Sequence, residues 1–246
     1  MRQPIIIIMK TEMKINENLT LFAIGGQAFS TDAYLLAAYL KKRKRAAELG
    51  TGCGVCSMLA AARKKFEHIT AYELQGELYE AARENIEKNG LSDIITPVCA
   101  DVRELTQKEQ LDVVFANPPY LRADTKQSPD SARAIARQEL FGGVAEFCAC
   151  ASRLLTDGGT FVCVYRPDRM SELFAALREN RFEPKLVTFV HHNTSRPASI
   201  ILVESRRGGA PSLTVTKPLI LYREDGQMTE DAQKIYDTCS FKEFLK

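Results

Sequence analysis

Two short stretches carry residue types with evident chemical use. The first is Asn117-Pro118-Pro119-Tyr120, which ends the apolar run Leu111-Asp112-Val113-Val114-Phe115. Adjacent prolines remove two backbone donors and fix two φ angles, so a strand cannot continue through them. They hold an amide and a phenol rigidly at a strand's end. The second stretch is Glu48-Leu-Gly-Thr-Gly-Cys-Gly54. Glycines in such a loop let the backbone turn sharply and pass close to a ligand. The dinucleotide spacing GxGxxG needs its third glycine at position 55, which is Val55; here the glycines stand at 50, 52 and 54, with an acid two residues before the first. Two more acids close later apolar runs: Glu73, and Asp101 in Val98-Cys-Ala-Asp-Val102.

The elements that must position these groups alternate from Ala46 onward between short apolar runs and longer helical periods, the pattern of βαβ units on a parallel sheet. Strands are expected at Arg45–Leu49, His68–Glu73, Ile94–Cys99, Leu111–Ala116, Thr160–Tyr165, Lys185–His191 and Ser199–Ser205. Helical spacing covers Ser57–Lys65, Gly76–Asn89, Ala132–Leu155 and Asp168–Asn180, with Asn89-Gly90 a stop and Asp157-Gly158-Gly159 a turn into the next strand. The expected fold is α/β: a seven-stranded doubly wound, Rossmann-like sheet with helices on both faces, ending in an antiparallel hairpin. One domain over residues 1–246 is expected, with 1–30 a leader and 208–246 a tail. Ser30-Thr31-Asp32 caps a helix over Ala33–Leu40, and the basic run Lys41–Arg45 complements that helix's C-terminal dipole. Glu73 and Asp101, like the glycine loop and Asn117, then fall at strand C-termini, where open α/β sheets bind ligands.

Composition narrows the class. A net charge of +2 leaves any nucleic-acid binding to local patches. The longest aliphatic run, Ile5 to Ile8, is too short for a membrane span or a signal-peptide core, so a cytoplasmic protein with no membrane partner is expected. The seven cysteines, at 53, 56, 99, 148, 150, 163 and 239, are scattered, and the Cys53/Cys56 pair has no second pair to complete a zinc set. They read as free thiols, with no metal and no disulfide.

The glycine loop has the ExGxGxG pattern of S-adenosylmethionine enzymes, whose cofactor offers an ammonium group to an acid and has no pyrophosphate. Asn117–Tyr120 resembles the [N/D]PP[Y/F/W] tetrad of the Rossmann-like amino-methyltransferases, which holds the nitrogen to be methylated. Phe29-Ser-Thr-Asp-Ala-Tyr-Leu-Leu-Ala37 and the tail "RPASIILVESRRGG…PLILYREDGQMTEDAQKIYD" extend the likeness to the bacterial tRNA valine adenine methyltransferases. These modify the exocyclic amine of the adenine 3′ of the anticodon. The resemblance implies S-adenosylmethionine as cofactor, tRNA as partner, and a cofactor set of Glu48, Gly50, Thr51, Gly52, Gly54, Glu73, Asp101, Val102 and Asn117, closed over by Thr31 and Asp32. Glu73 would bond the ribose hydroxyls and Asp101 the adenine amine. Asn117, Pro118, Pro119 and Tyr120 become the catalytic clamp. RNA contacts form no motif of their own: Arg122, Lys126, Arg133 and Arg137 follow the tetrad and Arg206 and Arg207 end the last strand, where such groups could hold phosphates, whereas His191 and His192 read as structural.

Three alternatives stay open at this point. Glutamine methyltransferases of release factors share the tetrad but carry a helical domain before the glycine loop, and only 47 residues precede Glu48. Ribosomal-RNA guanine methyltransferases also fit, because the tetrad recognises an amino group rather than a base. A cofactor-binding module without catalysis is disfavoured by the intact tetrad.

Overall fold

The computed structural model describes residues 10–16, 19–24, 30–106, 110–118 and 143–246. Seven strands form the body of one sheet: β3 (Arg45–Leu49), β4 (His68–Glu73), β5 (Ile95–Cys99), β6 (Leu111–Ala116), β7 (Leu155–Tyr165), β8 (Phe182–His191) and β9 (Ala198–Arg207). Their order is β8-β9-β7-β6-β3-β4-β5, and all pairings are parallel except those of β9, which runs antiparallel between β7 and β8. Two further strands not anticipated, β10 (Thr214–Val215) and β11 (Leu219–Ile220), pair in succession with β8 and cover its outer edge. A separate antiparallel pair, β1 (Lys10–Asn16) with β2 (Leu19–Ile24), precedes the sheet.

The strand residues alternate between two cores, as the period of two requires. Ala46, Val113, Phe115, Val162 and Val164 face one core with α1 (Thr31–Tyr39), α2 (Val55–Ala62) and α3 (Gly76–Lys88). Ala47, Val114, Ala116, Phe161 and Cys163 face the other with α4 (Val144–Leu154) and α5 (Met170–Glu179). This is the doubly wound arrangement. Of the helix expected over 132–155, residues 132–142 lie outside the described residues. The chain after Gly208 also forms a helix with no counterpart among the expected elements, α6 (Glu230–Thr238), capped by Thr229. It packs on α1: the Tyr236 ring stacks on Tyr34 at 4.5 Å, and Phe241 meets Tyr39 edge-on at 5.0 Å. Among the described residues no helix is long and apolar enough to cross a membrane.

Two local expectations need correction. Asp157-Gly158-Gly159 does not precede β7 but bulges within it, between Leu155 opposite Leu111 and Thr160 opposite Val113. The basic run after α1 is not its dipole partner either. The helix ends at Tyr39, and Lys41 and Arg45 turn away, to Glu204 at 2.7 Å and to the Gln110 carbonyl. The α1 C-terminus is met by a distant residue instead. Lys65, 7% exposed, donates from Nζ to the carbonyls of Ala37 (2.8 Å), Ala38 (2.9 Å) and Leu40 (2.7 Å). One ammonium thus satisfies three carbonyls that the helix itself leaves unpaired. Lys65→Met keeps the buried stem but strands those carbonyls, so urea unfolding is expected to show a loss of about 1–3 kcal/mol. Parent-like stability would mean that this cap contributes nothing to the fold.

Candidate active site

Register brings the sequence-predicted acids and the proline tetrad to one line. Leu49 pairs with Ala116 on one side and with Tyr72 on the other, and Glu73 pairs with Cys99. The next residues along, Asn117, Gly50, Glu73 and Cys99, therefore end four adjacent strands at one level. Chain order runs β3→β4→β5 to one side and resumes at β6 on the other, which makes the β3/β6 boundary the switch point where such sheets bind ligands.

The glycine loop is built tightly onto this edge. Gly50, Gly52 and Gly54 all have positive φ (70°, 60° and 87°), a region costly to residues with a Cβ. The N–H groups of Gly50 and Thr51 both donate to the Tyr72 carbonyl at 2.9 Å. A Cβ at Gly52 would meet nothing within 4 Å, so this position opens on free space rather than on packing. Glu48 lies beneath, 3% exposed. Its Oε2 accepts from Thr51 Oγ1 (2.7 Å), from the Ser57 N–H (3.1 Å) and from Ser57 Oγ. Burial pushes its carboxyl up to about 7, opposed by the Ser57 and Thr51 donors and reinforced by the nearby Glu73 charge. Ser57 has no mark of function in the sequence beyond its place just after the loop.

Glu73 accepts from the Gly52 N–H (2.8 Å, Oε2) and the Gln75 N–H (2.9 Å, Oε1), which leaves each oxygen acceptor capacity toward the crevice. Asp101 is differently placed. Arg103 forks onto it through Nε, at 2.9 Å from both oxygens, through Nη2, and through its own N–H at 2.8 Å. The Arg103 guanidinium holds this carboxyl below the usual range. The only sequence signal of this partner is its charge two residues on. Val102 is buried, and its carbonyl and that of Leu105 are held by Arg153 of α4, at 3.0 and 2.8 Å.

Asn117 is half-buried and Pro118 buried; among the described residues none bonds the Asn117 side chain. Thr31 is exposed and Asp32 half-buried at the start of α1, with Ser30 Oγ capping the Ala33 N–H at 3.2 Å. Pro119, Tyr120, Arg122, Lys126, Arg133 and Arg137 lie outside the described residues. His191 and His192 stand at the far end of the same sheet edge, His191 against the Arg196 carbonyl at 2.9 Å and His192 with its ring centroid 4.9 Å from that of Tyr222.

A family model, the methyltransferase small domain, matches residues 12–181. The chain belongs to the methyltransferase small domain family. Within it the chain is 30% identical over 187 residues to a tRNA1(Val) (adenine(37)-N6)-methyltransferase of Cronobacter sakazakii, covering 73% of this chain and 75% of that one. A protein of the same name from Dyadobacter fermentans is 28% identical over 221 residues, 88% of each chain. These matches place this small-domain methyltransferase with the tRNA1(Val) group. Among solved structures it is similar to a predicted O-methyltransferase, protein Atu636 from Agrobacterium tumefaciens, at TM-score 0.70 and 27% identity over 85% of this chain and 97% of the other.

In this methyltransferase the raised Glu48 carboxyl has a stability consequence. An acid whose pKa is higher in the fold than in the unfolded chain contributes most below its ordinary value of 4.5, and the contribution is lost as pH rises through about 7. The ligand-free protein should therefore lose melting temperature across that window. Glu48→Gln keeps one acceptor oxygen for the loop donors and removes the buried charge. Thermal unfolding of this variant should show a flatter profile and a higher melting temperature at pH 8. A decline as steep as the parent's would show that Glu48 is not the titrating group.

Proposed function

We propose that this enzyme transfers the methyl group of S-adenosylmethionine to the exocyclic amine of an adenine in tRNA, the adenine at position 37 of tRNA1(Val). The observation that carries the reading is the pairing of Leu49 with Ala116, which sets Asn117 and Pro118 beside the glycine loop. The names borne by the Cronobacter and Dyadobacter relatives support the substrate.

The crevice fits the cofactor. Glu73 has acceptor capacity left for the two ribose hydroxyls, Gly52 opens on free space, and Glu48 gains from any cation brought near the loop, because such a charge favours its ionised form. Val102 would flank the adenine; Asp101 can reach its amine only by sharing acceptor sites now taken by Arg103. Thr31 and Asp32 would close the site from α1. When bound, S-adenosylmethionine supplies an electrophilic methyl on a sulfonium, with a neutral thioether as leaving group.

The work left to the chain is to prepare a poor nucleophile. An amine conjugated to a purine has a delocalised lone pair. The Asn117 side-chain oxygen and the Pro118 carbonyl are two acceptors for its two N–H bonds, and gripping both moves the nitrogen toward tetrahedral geometry with its lone pair free. Pro118 and Pro119 fix φ, so these acceptors need no rearrangement as charge develops on the nitrogen. The extra proton on the methylated nitrogen passes to water, and no side-chain base is required. Tyr120 would stack on the extruded base.

Labelled S-adenosylmethionine incubated with tRNA, ribosomal RNA or a release factor should label tRNA, on adenine N6. Label elsewhere would overturn the substrate. Asn117→Ala should slow single-turnover methylation by about 10²–10³ while leaving tRNA affinity near the parent's. A drop in affinity with an unchanged rate would make Asn117 a binding residue only. Glu73→Ala should weaken cofactor binding by about 1.5–3 kcal/mol in calorimetric titration, the worth of hydrogen bonds to a charged acceptor.

A further inference from the structure

The opposite end of the sheet carries a second feature that this chemistry does not use. The start of β7, the start of β8 and the end of β9 enclose a cavity of about 490 Å³ lined by Arg181, Lys185, Arg206 and Arg207, together with Asp157, Gly158 and the backbone of 208–210. Four cations face one carboxylate there. That carboxylate, Asp157, is 82% exposed and among the described residues reaches only Arg207, at 3.2 Å. Glu183, directly across from Arg206 in the β8/β9 ladder, is engaged by Arg178 at 3.2 Å. Among the described residues Lys185 donates to neutral oxygens alone, the Ala210 carbonyl and Ser212 Oγ. Among the described residues Arg181 and Arg206 have no acidic partner within ion-pair distance, and the buried Nε of Arg207 has no hydrogen-bond acceptor.

The backbone is shaped around these side chains. A Cβ on Gly158 would lie 3.3 Å from Arg206 Nη2, and one on Gly209 would lie 2.9 Å from Lys185 Cε. Both glycines leave the room their basic neighbours occupy. Arg181 holds φ +66°, a conformation that glycine or asparagine adopts more readily. Four cations gathered around a single acid repel one another, and an oxyanion in their midst removes that repulsion.

We infer that this cavity binds a phosphate group. Its placement suits a backbone phosphate of the RNA substrate, and in that respect the inference rests on the proposed function. The six-residue strand β6 separates the two sheet ends by about 20 Å. A tRNA whose loop enters the crevice at one end can lay a phosphate in the cavity at the other.

The test uses the full chain and the double variant Arg181→Gly/Arg206→Gln, in which glycine is at ease at φ +66° and Arg206 is exposed. Affinity for tRNA is measured against salt, and the melting temperature is measured with and without millimolar inorganic phosphate at constant ionic strength. Calorimetry with S-adenosylhomocysteine controls for the fold. The expected result is roughly tenfold weaker tRNA binding at moderate salt, with the log–log slope reduced by about one for each phosphate that the variant no longer neutralises. If the slope is unchanged but a phosphate-dependent melting shift of the parent disappears in the variant, the ligand is free phosphate and the RNA source is overturned. If neither readout changes, the pocket is overturned. A parent that binds no tRNA would fail the functional reading instead, and the phosphate measurement alone would then decide on the cavity.

Discussion

The oxygen Glu48 Oε2 accepts three hydrogen bonds, from Thr51 Oγ1 and from both the N–H and the hydroxyl of Ser57. Through them one buried carboxylate ties the end of β3 to the glycine loop and to the first turn of α2. Charged acceptors make the stronger hydrogen bonds, yet burying the charge is costly, and the raised pKa of Glu48 records that burial outweighs its donors in the ligand-free protein. The loop is thus held in shape by a group that would be better off with a cation nearby. Stability and ligand affinity are set against each other at a single side chain.

The same kind of bracing recurs around the crevice. Backbone amides of the loop land on the Tyr72 carbonyl, and Glu73 is steadied by Gly52 and Gln75 before any ribose arrives. Arg153 reaches from α4 to fix the carbonyls on either side of the turn after Asp101. The ends of β3, β4 and β5 are therefore each pinned by a neighbour from a different element, which limits how far the edge must reorganise when a ligand binds.

Strands β3, β4 and β6 are legible to the residue, because each is an apolar run closed by turn chemistry: Gly50, Gln75-Gly76 and Pro118. The edge where Asn117, Gly50 and Glu73 converge follows from that pattern. What escapes a sequence reading is the meeting of residues far apart in the chain. Lys65 lies 25 residues and more from the α1 carbonyls it caps, so the basic run Lys41–Arg45 looks like the natural dipole partner. The bulge at Asp157–Gly159 looks like a turn because glycines serve both. Helix α6 and its C-cap show apolar residues at 232, 235 and 239, but nothing local reveals that the helix docks on Tyr34. The Asp101–Arg103 fork is equally silent, since neighbouring opposite charges rarely engage so fully.

The antiparallel strand between β7 and β8 sets the order in which a growing chain can complete its sheet. β4, β5 and β6 each find a partner among strands already made. β7, with Phe161, Cys163, Val164 and Tyr165 all destined for full burial, has one side unpaired until β9 arrives. From Tyr165 to Arg207 is about 40 residues, which at ordinary rates of synthesis takes roughly 2–8 seconds. During that interval the ribosome holds an apolar strand edge open, and the chain is exposed to misassembly there.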